Sequence, residues 1–387
     1  MEALKTTKIV VIYTAIQCSS KITGGIRRLF EISNQLLRKG DTVHLFIPKN
    51  VYPDRHECLI EHSIVSHSSK ILPNGVLNFI FNYRKLKSIS KLKYDALIIF
   101  EISYGIQCIL LNLKKLVVFT RQDFIEYRSI YYDEKSIPLF LKYTLKRVYL
   151  FLLEKIERIV LLKAYRIVVQ SYYERNTLLI RHNSIRNKIK EKIVVIYNNV
   201  NPSWIAAYND QFLANTRKDD TVFNFCFIGN VDDKRKGLHI LLEAIAKIID
   251  DGYRVELIII GVGKKLKYYK EEYQAYNEIK FLGYIQDPME ILVKSDLLIV
   301  PSLADSFPNV IMEAFYLEKP VIGSNRGGIP EMLKYDELLF EPNVDSLFKK
   351  IEHILHENLF GRIKEIVKER KRAFTFDWVE AIRREIF

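Results

Sequence analysis

Pro301-Ser302-Leu303-Ala304-Asp305-Ser306-Phe307-Pro308-Asn309-Val310-Ile311-Met312-Glu313-Ala314, followed by Pro320-Val321-Ile322-Gly323 and Gly327-Gly328-Ile329-Pro330-Glu331, decides the fold. The four residues before it, Leu297-Leu298-Ile299-Val300, form a short apolar run that reads as a parallel strand buried on both faces, and Pro301-Ser302 ends it. Asp305 therefore falls in a loop at a strand's carboxyl end, the edge where doubly wound sheets bind their ligands. The residues after Pro308 are apolar at helical spacing, so the backbone N–H groups near Phe307, Asn309 and Val310 belong to a helix N-terminus, where anions are favoured. Glu313 sits about one helical turn further in, and a carboxylate there can accept two hydrogen bonds from a vicinal diol such as a ribose.

Outward from this stretch, strands and helices alternate twice over. Strands are expected near 8–13, 43–47, 96–100, 116–120, 166–170 and 193–196, then near 223–229, 255–260, 279–282, 297–300 and 320–323. A helix over about 237–250 carries Leu238, Leu241, Leu242, Ile245, Ile248 and Ile249 on one stripe. The pattern predicts an α/β chain with two Rossmann-like parallel-sheet domains. The boundaries read as an N-terminal domain at 1–200, a polar linker at 201–220, a C-terminal domain at 221–372 and a terminal helix at 373–387.

The acid-x7-acid spacing of Asp305 and Glu313 with Phe-Pro-Asn inside it, and the Gly-Gly-x-Pro-Glu beyond, resemble the C-terminal signature of the family 4 retaining glycosyltransferases, which have the GT-B fold. Other pieces of that pattern occur in the same order: Phe227-Ile228-Gly229, Lys236-Gly237-Leu238, Leu241-Leu242-Glu243-Ala244, Ile258-Ile259-Ile260-Gly261-Val262-Gly263 and Phe281-Leu282-Gly283-Tyr284. In the first half only short pieces match, namely Gly24-Gly25, Val169-Gln170-Ser171 and Ile196-Tyr197-Asn198-Asn199-Val200-Asn201. The joint order of the motifs is specific, although no single one is.

The resemblance implies two domains facing across a cleft. It also implies a sugar carried on a nucleoside diphosphate, with a UDP-sugar favoured, as donor substrate, and no cofactor or metal. In that frame Glu313 holds the ribose and Asp305 the sugar hydroxyls, while Lys236 and the backbone of Phe307, Asn309 and Val310 hold the diphosphate or sugar. Tyr284 lies near the base, and Gly229 and Asn230 form the loop by the phosphates. Gly24 and Gly25 line the reaction centre from the first domain, and the terminal helix crosses back to it. Lys236 has the clearest chemical role, because breaking the anomeric bond builds negative charge on the leaving phosphate and a fixed cation there lowers the barrier. The chain departs from the family at Asn230, where an arginine is usual; Asn donates hydrogen bonds but carries no charge, and Lys234 or Arg235 is the expected substitute. A histidine usual after the strand at 116–120 is replaced by Gln122, flanked by Arg121 and Asp123.

Composition bounds the remaining readings. At 387 residues, 49% hydrophobic and 27% charged, the chain suits a globular protein of two domains. Cys18, Cys58, Cys108 and Cys226 are scattered without CxxC pairing, as reduced thiols are, and the start of the chain reads as a strand rather than a leader, so a cytoplasmic protein is expected. Charge is unevenly divided: residues 1–200 hold 33 Lys and Arg against 16 Asp and Glu, a balance of +17, and residues 201–387 hold 26 against 30, a balance of −4. A basic half attracts phosphates. The runs Arg84-Lys85-Leu86-Lys87 and Lys91-Leu92-Lys93 and the apolar but charge-interrupted stretch 139–162 point to an anionic membrane surface at the inner face of the plasma membrane, the alternative for that stretch being two amphipathic helices packed on the sheet. By analogy with such enzymes in bacterial surface polysaccharide assembly, the acceptor is expected to be a glycan or a lipid-linked glycan.

Other signals fail on inspection. Gly261-Val262-Gly263-Lys264 lacks the P-loop frame, and the histidine pairs His56/His62 and His353/His356 lack a zinc ligand set. Nucleic-acid binding has charge in its favour but no motif. Two other classes stay open: another sugar-nucleotide enzyme such as an epimerase or hydrolase, and a nucleotide-binding scaffold, which the uncharged Asn230 favours.

Overall fold

In a computed structural model of the protein, residues 8–14, 24–48, 58–65, 74–120, 125, 129, 139–199 and 222–387 are described. The chain divides into two compact units, Met1–Ile196 together with Asp377–Phe387, and Tyr197–Phe376. The first unit thus ends four residues before the expected boundary at 200, and the second reaches past 372 to Phe376. The expected linker 201–220 lies outside the described residues.

The first unit carries a seven-stranded, all-parallel sheet of β1 (Ile9–Tyr13), β2 (Thr42–Pro48), β3 (Leu59–Ile64), β4 (Ala96–Ile99), β5 (Leu116–Phe119), β6 (Arg166–Val169) and β7 (Ile193–Val195), in the order β3-β2-β1-β4-β5-β6-β7. Its central strands are four to five residues long and buried along nearly their whole length, which is why they read as continuous Val, Ile and Leu runs. The second unit carries a six-stranded parallel sheet of β8 (Phe223–Ile228), β9 (Val255–Ile260), β10 (Ile279–Gly283), β11 (Leu297–Val300), β12 (Val321–Ser324) and β13 (Leu339–Phe340), in the order β10-β9-β8-β11-β12-β13. Both are Rossmann-like, and each reverses its strand order once, between β1 and β4 and between β8 and β11.

Two strands escape the sequence reading, and both are edges. β3 is Leu-Ile-Glu-His-Ser-Ile, half polar because one flank faces no strand, and β13 has only two residues. The stretch read as 139–162 is one 25-residue helix, Leu139–Lys163, rather than two. The terminal helix begins later than 373: helix Phe360–Ala373 ends there, and Trp378–Ile386 starts after Asp377, whose side chain accepts the N–H of Glu380. That last helix belongs to the first unit, where Lys39 Nζ meets Asp377 at 2.8 Å and Glu380 at 2.7 Å, Arg383 pairs with the fully buried Asp41, and Arg166 donates to the Glu385 carbonyl at 3.1 Å.

In the second unit the stripe of helix Leu238–Asp250 is buried as its spacing requires. An aromatic cluster closes the other flank: Phe307 stacks on Tyr197 with centroids 5.3 Å apart and meets Phe374 edge-on at 5.7 Å, while Phe374 also stacks on Phe315. Such pairs add about 0.5–1.5 kcal/mol each beyond area burial. They fix the loop 303–308 to the body of the unit.

Candidate functional site

The strand order of the second unit reverses between β8 and β11, and the crevice at the carboxyl ends of those two strands is where an open α/β sheet takes a ligand. The chain leaving β8 reaches Lys236 through the short 3-10 turn Lys234–Lys236, and the chain leaving β11 reaches Asp305. The two side chains meet there, Lys236 Nζ donating to Asp305 Oδ2 at 2.5 Å, with both groups partly open to solvent.

Glycines make this approach feasible. Gly237, directly after Lys236, has φ +67° and caps helix Leu238–Asp250; a Cβ there would stand 1.9 Å from the Pro301 carbonyl oxygen. The turn after β8 therefore leans on the end of β11, and Leu303 N–H donates to the Arg235 carbonyl at 2.6 Å. Gly327 has φ +62°, and its Cβ would stand 2.1 Å from the Asp305 carbonyl oxygen; that oxygen accepts the Gly328 N–H at 2.9 Å. Gly327 thus supports the Asp305 loop from behind, a role that left-handed backbone and close approach reserve for glycine, while Gly328, at φ −89°, adds only its N–H. A Cβ on Gly229 would stand 3.6 Å from Lys236 Cγ and 3.0 Å from the Phe227 ring.

Glu313 is buried, at 6% exposure, in helix Asn309–Tyr316, which opens after Pro308. Asn309 Oδ1 accepts from Asn198 Nδ2 at 3.1 Å. The Phe307 ring is committed to the aromatic cluster, so what this residue can offer a ligand is backbone. Val310 is half-buried in the same first turn. Asn230 is exposed, and its Oδ1 accepts the Asp232 N–H at 2.8 Å. Arg235, one of the two expected substitutes for the absent arginine, is held by Asp233 through Nε–Oδ1 at 3.0 Å and Nη2–Oδ2 at 2.5 Å. Lys234, the other, is exposed. Tyr284 follows the outer strand β10 at 47% exposure, on the same sheet edge but two strands away from β8. Gly24 and Gly25 are the first two residues of helix Gly24–Arg38, which follows β1 in the first unit. Residues 121–123 lie outside the described residues.

Sequence reasoning missed two side chains next to this edge. Tyr197 donates its hydroxyl to Glu331 Oε1 at 2.5 Å, and Asn198 holds Asn309. The signal was present in Tyr197-Asn198-Asn199 and in Gly-Gly-x-Pro-Glu, but 134 residues separate Tyr197 from Glu331 and nothing in either run names the other. Among the described residues, no group of three or more His, Cys, Asp or Glu is placed to hold a metal ion.

Two family models match: Glycosyltransferase Family 4 over residues 22–204 and Glycosyl transferases group 1 over residues 222–357. An uncharacterized glycosyltransferase of Methanocaldococcus jannaschii is 28% identical over 204 residues, covering 49% of this chain and 51% of the relative. The capsular polysaccharide biosynthesis glycosyltransferase CapM of Staphylococcus aureus is 23% identical over 238 residues, covering 58% of each. The chain thus spans about half the length of these curated relatives. Anabaena HepE, solved in complex with UDP-glucose, superposes with a TM-score of 0.64 at 18% identity, covering 98% of each chain. With both units matched by family models and the paired parallel sheets of the GT-B fold in place, the chain belongs to family 4 of the glycosyltransferases.

Proposed function

We propose that the protein transfers a sugar from a nucleoside diphosphate donor, with a UDP-sugar favoured, to a hydroxyl of a glycan or lipid-linked glycan, retaining the anomeric configuration and using no metal. The observation that carries this reading is the meeting of Lys236 and Asp305 at the crevice between β8 and β11. In the proposed reaction the bond from the sugar's anomeric carbon to the leaving phosphate breaks, and the acceptor oxygen bonds to that carbon on the same face. The acceptor proton passes to the leaving phosphate. Lys236 stabilises the charge developing on that phosphate, in a site whose dipoles are fixed beforehand by the surrounding loops. Asp305, released from Lys236 by the phosphate, accepts from the sugar hydroxyls. Glu313 binds the ribose, and Tyr284 flanks the base. HepE was solved with UDP-glucose, which supports a UDP-sugar, and the name of CapM supports an acceptor in surface polysaccharide assembly. Thermal-shift screening of the protein against nucleoside diphosphates and their sugars tests the pocket and the base together. A rise in Tm with UDP and UDP-sugars is expected, and transfer should survive EDTA. Loss of all transfer in EDTA, restored by Mn²⁺ or Mg²⁺, would contradict the assignment of Lys236 as the main counter-charge.

The first unit is proposed to meet an anionic membrane. Helix Leu139–Lys163 exposes Leu145, Val148 and Leu152 at helical spacing, with Tyr143 and Phe151 beside them and Arg147, Lys155 and Lys163 exposed among them. Its two acids, Glu154 and Glu157, are half-buried and buried. Helix Asn74–Ser88 exposes Ile80, Phe81 and Tyr83 next to Arg84, Lys85 and Lys87, and residues 74–94 contain no acid. The β3–β4, β4–β5 and β5–β6 connections all step the same way along the sheet, so the right-handed crossover rule puts both helices on one face. Apolar side chains interleaved with unopposed cations fit a bilayer carrying acidic headgroups. Among the described residues no helix is long and apolar enough to cross a membrane.

A further inference from the structure

The first sheet has a second edge, at the amino ends of its strands, opposite the one where such sheets take their ligands. There Ile9 opens β1, Tyr94 and Asp95 lead into β4, and Lys114 and Lys115 lead into β5. An open cavity of about 540 Å³ lies among them, a size that suits a small ligand. Lys93, Lys114 and Lys115 line it against one acid, Asp95, a balance of +2.

The partners of these lysines do not cancel that charge. Lys115 Nζ donates to the Tyr94 carbonyl at 3.1 Å and stands 3.9 Å from Asp95 Oδ1, while Asp95 Oδ2 accepts the Ile9 N–H at 3.0 Å. Lys114 Nζ donates to the neutral Asn112 Oδ1 at 2.8 Å. Lys93 is exposed and has no side-chain partner among the described residues. The frame that carries them is fastened: the Tyr94 hydroxyl donates to the Lys114 carbonyl at 3.2 Å and accepts the Lys114 N–H at 3.1 Å, and the Lys115 carbonyl accepts the Leu97 N–H at 3.0 Å. Lys115 also has φ +50°, a left-handed conformation uncommon outside glycine. Asn112, at φ +53°, has an ordinary reason for it, since it follows the cap of helix Gly105–Leu110. Lys115 caps no helix and leads straight into β5, where a glycine would serve the backbone better. What the lysine adds is an ammonium group brought back to the Tyr94 carbonyl beside the cavity. Strain kept in this way at a charged cavity marks a ligand site.

We infer that this cavity binds a phosphate monoester, with Lys93, Lys114 and Lys115 as its cationic contacts. Such a group carries about −1.5 to −2 charges near neutral pH and three strong acceptor oxygens, which match a balance of +2 and three ammonium donors. A phosphodiester, with one charge, matches less well. The monoester has two sources, a soluble metabolite or a lipid headgroup, and the cavity follows helix Asn74–Ser88, where Arg84, Lys85 and Lys87 are exposed. The site lies in the first unit and does not depend on the donor reading of the second.

Calorimetric titration of the full chain with glycerol phosphate, against glycerol and glycerophosphocholine, tests the soluble source. Flotation with phosphatidylcholine vesicles carrying phosphatidic acid, or phosphatidylglycerol at matched surface charge, tests the lipid source. The monoester should bind by at least one route at physiological salt, about tenfold or more tightly than the diester. Lys114→Gln and Lys115→Gln should each weaken that binding about tenfold, and the double variant about a hundredfold. Lys188→Gln, an exposed lysine on helix Arg186–Ile189, should change nothing. Lys115→Gly, which releases the left-handed backbone, should weaken binding as much as Lys115→Gln without lowering Tm, a combination that a purely structural lysine does not give. The inference is overturned if neither monoester binds at millimolar ligand, if the diester or phosphatidylglycerol binds as tightly, or if the double variant binds like wild type; each of these leaves the proposed function standing.

Discussion

At the scale of single residues, what local pattern made legible is placement: Asp305 after a strand's end, Glu313 one turn into the next helix, and Lys236 before a glycine at another helix start. Their partners were not legible. The Lys236–Asp305 contact joins residues 69 apart, and the dependence of both loops on Gly237 and Gly327 follows from where Pro301 and Asp305 turn their carbonyl oxygens. Lys236→Ala should lower the transfer rate by about 10²-fold or more, as loss of a preorganised contact to developing charge does, with a smaller change in donor affinity. Glu313→Ala should instead weaken donor binding by about 1–3 kcal/mol, read as a shift in KM or in a binding titration. Wild-type behaviour from both variants would put the pocket elsewhere. Gly237→Ala should cost more than the ~1–2 kcal/mol of left-handed backbone alone, since its Cβ has nowhere to go beside Pro301, and a lowered Tm with weakened nucleotide binding is the expected readout.

At the scale of elements, strands with an apolar run announced themselves, the edges β7 and β10 among them, whereas polarity disguised the period of the edge β3 and two residues were too few to show one in the edge β13. β3 shows what that polarity does. His62, opposite Phe46 in the register, stacks on it at 4.1 Å, and His62 Nε2 lies 3.1 Å from His44 Nδ1. Burial lowers the pKa of both imidazoles, and each ring's charge would oppose the other's. A histidine with a folded pKa below its unfolded value of 6.5 binds its proton more readily when unfolded, so the edge is favoured above that pH and loses stability as pH falls below it. Melts between pH 7.5 and pH 5 should show Tm falling, and His62→Gln should flatten that dependence. A Tm independent of pH over this range in the wild type would contradict the role given to the pair. The length of helix Leu139–Lys163 was equally hidden: its charges interrupt the apolar run in sequence, yet the helix runs on through them, with Arg147, Lys155 and Lys163 exposed and Glu157 buried.

At the scale of the whole molecule, the order of motifs gave two Rossmann-like units, while the return of Asp377–Phe387 to the first unit depends on ion pairs to Lys39 and Asp41 more than 300 residues upstream. The charge division of +17 and −4 has a counterpart in where exposed apolar and basic side chains coincide, and it predicts two different salt responses. Flotation with anionic vesicles should be strong at low ionic strength and collapse at high, beyond a Debye length of about 8–10 Å, while nucleotide affinity in the second unit changes much less. Equal binding to neutral vesicles, or none to anionic ones at low salt, would contradict the membrane reading. The central claim, that the β8–β11 crevice binds the donor, is tested most directly by hydrogen exchange of the full chain with and without UDP. Added protection is expected in residues 229–237 and 303–313, reduced in Lys236→Ala; protection confined to other segments, or none at saturating nucleotide, would place the donor elsewhere.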